Sequence, residues 1–276
     1  MRDAIVDGAR LAYREAGPAD AEPVVLVHGY PSNHRIWRHQ IEALRGDHRV
    51  IAPDLLGWGT SEQPLGLRYD YDEEVERLGR TLDALGLGRV NLFAHDYGGF
   101  LSLGFAQRHP ERVARLALLN TRAQGSFVRR WYATFGAVSL VGRAPGLRAL
   151  AARLPWAAIN ATGLRYLVRR GAATPELLES YLGPLRTLHG RRWLLRFFGD
   201  YRVDVRRELR ERLGEIGCPT AIVWGRRDSY IPFSTPLELE REIPGAKLTT
   251  IDDAGHFVTE ESPERVTAAL RELLAR

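Results

Sequence analysis

The chain predicts an α/β fold: a mostly parallel central sheet with helices on both faces and an inserted helical cap. Three observations carry this. The short continuous apolar run Val24-Val25-Leu26-Val27 suits a strand buried on both faces, and Val113-Ala114-Arg115-Leu116-Ala117-Leu118-Leu119 reads as another strand. Helical periodicities separate these runs, as parallel crossovers require. The alternation then stops from Thr121 to about Leu213, where the pattern is helical and rich in aromatics, and resumes at Thr220. Residues 1–120 and 214–276 are therefore expected to form the core, and 121–213 a cap. A chain of 276 residues can bury a core of that size.

In order, residues 3–7 and 10–15 read as an antiparallel entry turning at Gly8 and ending at Gly17-Pro18. The strand 24–27 leads into His28-Gly29-Tyr30-Pro31, a loop whose glycine allows close backbone approach. The Tyr30 N–H is a candidate oxyanion donor, and His28 is read as bracing the loop. A helix is expected from Ile36 to Leu44, a strand at 50–54, and a helix from Tyr71 to Leu85 closed by Gly86 and Gly88. The loop Leu56-Gly57-Trp58-Gly59-Thr60-Ser61 is glycine-rich, but no Lys follows, so it is not a phosphate loop. After the insert come strands at 220–224 and 247–251, a helix at 234–243 and a closing helix from Pro263 to Leu274.

The most informative stretch is Leu92-Phe93-Ala94-His95-Asp96-Tyr97-Gly98-Gly99. An apolar run ends in a small residue. A candidate nucleophile follows two places on, then two glycines and a helix. That spacing lifts the central side chain above a sheet on a strained strand-to-helix turn. Serine is the usual occupant; here it is Asp96. A carboxylate is already ionised at neutral pH. It displaces leaving groups from saturated carbon and leaves an alkyl ester, which a histidine-activated water then hydrolyses. Suitable substrates are epoxides, alkyl halides and activated esters.

Asp228, in Gly225-Arg226-Arg227-Asp228, and His256, in Gly255-His256-Phe257, each follow a strand, as Asp96 does. In a parallel sheet such loops share one edge, where ligands bind. Asp228 would orient His256, and His256 would take the proton from water. Asn120 follows its own strand but is neutral, a poorer candidate for the acid.

These motifs, with the Gly57–Ser61 loop, resemble the α/β-hydrolase family along nearly the whole chain. Within it they resemble the aspartate-nucleophile branch of epoxide hydrolases and haloalkane dehalogenases. The resemblance implies an oxyanion hole from the Tyr30 and Tyr97 N–H groups. Dehalogenases typically hold halide with a Trp directly after the nucleophile and an Asn in the first loop, where this chain has Tyr97 and Tyr30. A cap Trp (Trp131, Trp156 or Trp193) is the remaining halide donor. Epoxide hydrolases use two cap tyrosines on the epoxide oxygen, and Tyr132 and Tyr201 match that pattern loosely. Fluoroacetate-type dehalogenases would need an Arg pair near the nucleophile, where Tyr97 and Phe100 stand. The expected activity is thus epoxide opening to vicinal diols, with haloalkane dehalogenation as the alternative. A non-hydrolytic ligand-binding or biosynthetic protein on the same fold is the alternative from another class.

Composition bounds the partners. The one cysteine, Cys218, excludes a disulfide framework and a cysteine-rich metal site, and the two-step chemistry needs no metal or cofactor. No signal pattern opens the chain and no apolar run approaches the roughly 18 residues that span a bilayer, so a cytoplasmic protein without stable membrane insertion is expected. Net charge is +5, but residues 121–212 carry 18 Arg against 6 acidic residues. Such a segment can attract an anionic substrate or a membrane surface, or simply form a solvated face. No nucleic-acid motif accompanies it. The expected partners are a small apolar organic substrate and water, with a homodimer left open.

Overall fold

The computed structural model describes residues 1–123, 127–201 and 207–276. Its eight strands are β1 (Arg2–Val6), β2 (Ala9–Ala16), β3 (Pro23–Val27), β4 (Arg49–Pro53), β5 (Val90–His95), β6 (Val113–Leu119), β7 (Thr220–Gly225) and β8 (Lys247–Ile251). They form one sheet in the order β1-β2-β4-β3-β5-β6-β7-β8. The β1/β2 and β2/β4 pairs are antiparallel, and the other five are parallel. Every residue of β5 and β7 is buried, which explains the apolar runs Leu92-Phe93-Ala94 and Ala221-Ile222-Val223-Trp224 within them.

Twelve α-helices fall among the described residues. Those tied to the core are α1 (Arg38–Leu44), α2 (Tyr71–Ala84) and α3 (Tyr97–Arg108) before the insert. In the insert follow α4 (Arg129–Arg143), α5 (Pro145–Ala151), α6 (Trp156–Arg169), α7 (Pro175–Leu182), α8 (Leu188–Tyr201) and α9 (Arg207–Glu211). After β7 come α10 (Ser234–Glu242), α11 (Val258–Glu261) and α12 (Pro263–Leu274). α2 shows why the periodic reading works: Asp70 caps it by accepting the Glu73 N–H, and Val75, Leu78 and Leu82 bury one face. The short α11 has too few turns to show a period. The expected helix at 36–44 begins as a single 3-10 turn, His34–Trp37, before α1.

The insert leaves the sheet after β6 and returns at β7. Residues 124–126 and 202–206 of the expected cap interval lie outside the described residues. Its breaks fall where proline and glycine predict them: Pro145 starts α5, Pro155 caps α6, and Gly171 adopts φ 69° after it.

The strand-to-helix turn is tight. Asp96 has φ 51° and ψ −118°, a conformation costly for any residue with a side chain. A Cβ on Gly98 would clash with the His28 and Val27 carbonyls, lying 2.7 Å from the latter, and one on Gly29 would lie 2.5 Å from Asp96 Cβ. Gly98→Ala should therefore cost roughly 1–3 kcal/mol through overpacking. A thermal melt checks this; an unchanged midpoint would mean that the turn relaxes freely.

Candidate active site

Asp96, Asp228 and His256 follow β5, β7 and β8 and meet above one sheet edge. His256 Nδ1 lies 2.8 Å from Asp228 Oδ2, and His256 Nε2 lies 3.3 Å from Asp96 Oδ2. The imidazole thus bridges two carboxylates with opposite ring nitrogens. The other Asp228 oxygen accepts the Tyr230 and Ile231 N–H groups at 2.7 and 3.1 Å. Asn120, set at φ 37° just past β6, donates its amide to Asp228 Oδ2 at 2.8 Å and accepts the Gly225 N–H at 2.9 Å. It is not the acid but the residue that holds the acid.

Each partner sets the charge of the next. Burial alone would push His256 down, but the Asp228 and Asp96 carboxylates overcome this and hold it at about 10. Burial would raise both carboxyls, and the histidine holds both below the ordinary carboxylate range. The neighbouring His95 is pushed down to about 4, chiefly by burial, so it is neutral. Its Nε2–H therefore donates to the His256 carbonyl at 2.9 Å.

Asp96 Oδ1 accepts the Tyr30 N–H at 2.7 Å. The Tyr97 N–H heads α3, where first-turn donors have no intrahelical acceptor. His28 braces the first loop as expected: Nδ1–H donates to the Gly29 carbonyl at 3.0 Å, and Nε2 accepts the Leu55 N–H at 3.0 Å. Burial depresses its pKa and keeps it neutral. The arrangement can present a carboxylate oxygen for attack, hold the other oxygen on a backbone donor and supply a base beside it.

A largely apolar cavity lies over Asp96 and His256. From the insert, α4 contributes Trp131, Thr134, Phe135 and Val138, one stripe at helical spacing. Trp156 and Asn160 of α6 and Phe197, Phe198 and Tyr201 of α8 join them. Of the five insert aromatics singled out from sequence, the structure puts Trp131, Trp156 and Tyr201 in the lining. Two need correction. Tyr132 is one position off the α4 stripe, so it points aside and is 40% exposed. Trp193 is fully buried away from the cavity, edge-on to Trp58 at 4.9 Å and stacked on Phe197.

Two lining residues escaped sequence reading. Tyr230 stacks on Trp131 at 4.7 Å and flanks His256 at 4.8 Å; its place two residues after Asp228 was the available signal. Arg122 is buried in the wall, its guanidinium 3.9 Å from the Phe100 ring centre and 5.1 Å from those of Phe127 and Tyr201. Nothing in an arginine-rich segment marks that one arginine as buried.

The fold and the edge-clustered residues define an α/β-hydrolase class of protein. A family model described as the alpha/beta hydrolase fold matches residues 22–263, and the chain belongs to that family. It is 30% identical to a cis-3-alkyl-4-alkyloxetan-2-one decarboxylase of Xanthomonas campestris pv. campestris, over 98% of this chain and 93% of that one. It is 31% identical to haloalkane dehalogenase 2 of Mycobacterium bovis, over 95% of this chain and 91% of the relative. An epoxide hydrolase variant from Bacillus megaterium superposes with a TM-score of 0.82 at 23% identity, over the full length of both chains. The protein is thus an α/β-hydrolase-fold enzyme whose relatives at 30% identity or more include a decarboxylase and a haloalkane dehalogenase.

Two predictions follow from the charge pattern. In Asp96→Asn one of the two flanking charges is gone, so the His256 ring should titrate below the wild type's value of about 10. Nitrogen-resolved NMR of the imidazole reads this, and an unchanged midpoint would mean that Asp228 alone sets it. Because the folded imidazole titrates above its ordinary value, its stabilising contribution is whole below about pH 6.5. It should fade as pH rises through about 10, as denaturant titrations across that window would show.

Proposed function

We propose that the protein opens a strained oxygen ring through an Asp96 alkyl ester, an epoxide to a vicinal diol being the first reading. One observation carries this: the two Asp96 oxygens have different partners, Tyr30 N–H on one and His256 on the other. Oδ2 attacks the less hindered ring carbon, the C–O bond breaks, and the ring oxygen takes a proton from a pocket donor. Tyr201 and Tyr230 supply phenols in the lining for that step. Esterification removes the negative charge of Asp96. His256 loses one of the two charges that keep it protonated, its proton passes to the phenolate left by ring opening, and the neutral imidazole becomes a base. It takes a proton from water, and the hydroxide adds to Asp96 Cγ. The oxyanion forms on Oδ1, where the Tyr30 N–H already points, with the Tyr97 N–H as the second donor. Collapse releases the diol and restores the carboxylate. The insert then acts as a cap that keeps bulk water from the ester.

Halide release fits less well. Tyr97 replaces the Trp donor, and its hydroxyl turns to Glu74 at 3.2 Å. Tyr30 replaces Asn, and its hydroxyl donates to Asn160.

A second ring-opening reading is favoured by Arg122. If a cis-3-alkyl-4-alkyloxetan-2-one were the substrate, attack of Asp96 at the ring C–O carbon would release a tethered carboxylate. The Arg122 guanidinium in the pocket wall suits such an anion. Loss of CO2 would then form the alkene and expel Asp96, with no water consumed. The similarity to a decarboxylase with that substrate supports this reading.

A His256→Gln variant separates the cases. It should accumulate an ester, because ring opening needs no base and hydrolysis does. Intact mass after incubation with a terminal alkyl epoxide should rise by the full mass of the epoxide. A primary alkyl bromide would add its mass less HBr and would favour dehalogenation instead. Alkene and CO2 from the oxetanone with wild-type protein would select the second reading. No adduct and no alkene would overturn the Asp96 ester. Asn120→Ala, which releases Asp228, should lower kcat by about tenfold or more with KM little changed. An unaffected kcat would remove Asn120 from the positioning of the acid.

A further inference from the structure

We propose that the outer face of the insert docks on an anionic phospholipid membrane surface, from which the cavity draws its substrate. Residues 129–175 contain eight arginines and no aspartate or glutamate. Among the described residues, Arg170 is the one of these eight with a carboxylate partner, Glu261 at 2.9 Å. The face is thus strongly cationic and little neutralised from within.

The same stretch is unusually apolar outside. Eleven large hydrophobic side chains are exposed among the described residues, and six of them fall between Tyr132 and Ile159. Helix α5 buries none of its residues. Its Leu147 and Leu150, 57% and 61% exposed, lie three apart on one face. Leu140 near the end of α4 and Leu154 just after α5 are 66% and 49% exposed. Exposed leucines scattered singly need no explanation, but a run interleaved with arginines has the composition of an interfacial segment.

The cavity reaches the surface within the same insert: Thr134 of α4 and Ile159 and Thr162 of α6 line the cavity and are also exposed. The exposed leucines lie on α4, on α5 or just after it, beside the helices that wall the cavity. An apolar molecule dissolved in a bilayer would meet the mouth without crossing water.

Charge complementarity selects the occupant. A second copy packed isologously would set arginines against arginines. A nucleic acid would meet Arg but also leucines that neither stack nor pair. An anionic bilayer offers phosphates to the guanidinium groups and an acyl boundary to the leucines. Among the described residues no helix is long and apolar enough to span a membrane, so the contact is peripheral.

Flotation of the full chain with vesicles tests this. Vesicles of two parts phosphatidylcholine to one part phosphatidylglycerol should carry the protein at low salt and release it as salt rises. Vesicles of phosphatidylcholine alone should carry far less. Leu147→Ser with Leu150→Ser, and separately Arg148→Glu with Arg153→Glu, should each weaken binding by about tenfold or more with unchanged melting. The proposal is overturned if the phosphatidylglycerol vesicles do not bind, if neutral vesicles bind equally, or if both variant pairs bind like wild type. It is also overturned if light scattering without lipid shows a dimer, or a complex with an acidic protein, that these substitutions break. No turnover is read, so the outcome is independent of the Asp96 chemistry.

Discussion

The backbone at Asp96 is the constraint on which the rest of the site depends. A residue with a side chain sits there at positive φ, and it stays only because the surroundings over-determine it. The Asp96 N–H donates to the Leu119 carbonyl at 3.1 Å, and its own carbonyl accepts the Phe100 N–H and the Thr121 hydroxyl. Gly29 and Gly98 leave the space that the turn occupies. The bonds reach Leu119 of β6 and Thr121 two residues past it on one side and α3 on the other. The turn is therefore clamped by the most buried part of the sheet. The carboxylate is raised above the strand ends, with Oδ1 already on a backbone donor.

A second dependence is electrostatic. Three ionisable groups are buried together, and burial pushes each toward its neutral form. As carboxylate, imidazolium and carboxylate in a row they stabilise one another. In the proposed reaction, removing one charge by esterification unbalances the set, and the imbalance converts an acid into a base at the moment a base is required. The trigger for the second step is thus the product of the first. Asn120, the Tyr230 N–H and the Ile231 N–H keep Asp228 ionised meanwhile by hydrogen bonding to its charged form.

What the sequence disclosed, and what it hid, follows from locality. The parallel core is legible because strands such as β3 and β7 are buried on both faces and carry short continuous apolar runs, Val24–Val27 and Ala221–Trp224. Asp96, Asp228 and His256 were legible because each sits in a short turn with its own local pattern. Asn120 had the right position but was judged only as a possible acid, since a neighbour's hydrogen bond leaves no mark in spacing. The insert was recognisable as helical, yet its inward face was not. Trp131 and Tyr132 are adjacent, and one helical step separates a cavity wall from solvent. Trp193 looked like a pocket residue because aromatics are common to pockets and cores. Its burial follows from Trp58 and Gly57, which come from a loop more than a hundred residues away.

The insert answers two physical demands with one set of helices. Inward, α4 and α8 present aromatic faces to the cavity, which in the proposed reaction keep water from an ester that must wait for its base. Outward, α4 and α5 present leucine and α4 and α6 arginine, a combination that costs solubility in apolar surface and regains it in charge. For an apolar substrate the difficulty is delivery, since the concentration in water is lowest for the molecules that fit the cavity best. In the proposed docking, the cationic, apolar exterior of the insert would bring the enzyme to where such molecules partition, and in the proposed reaction ring strain would supply the driving force that a poor alkoxide leaving group otherwise lacks.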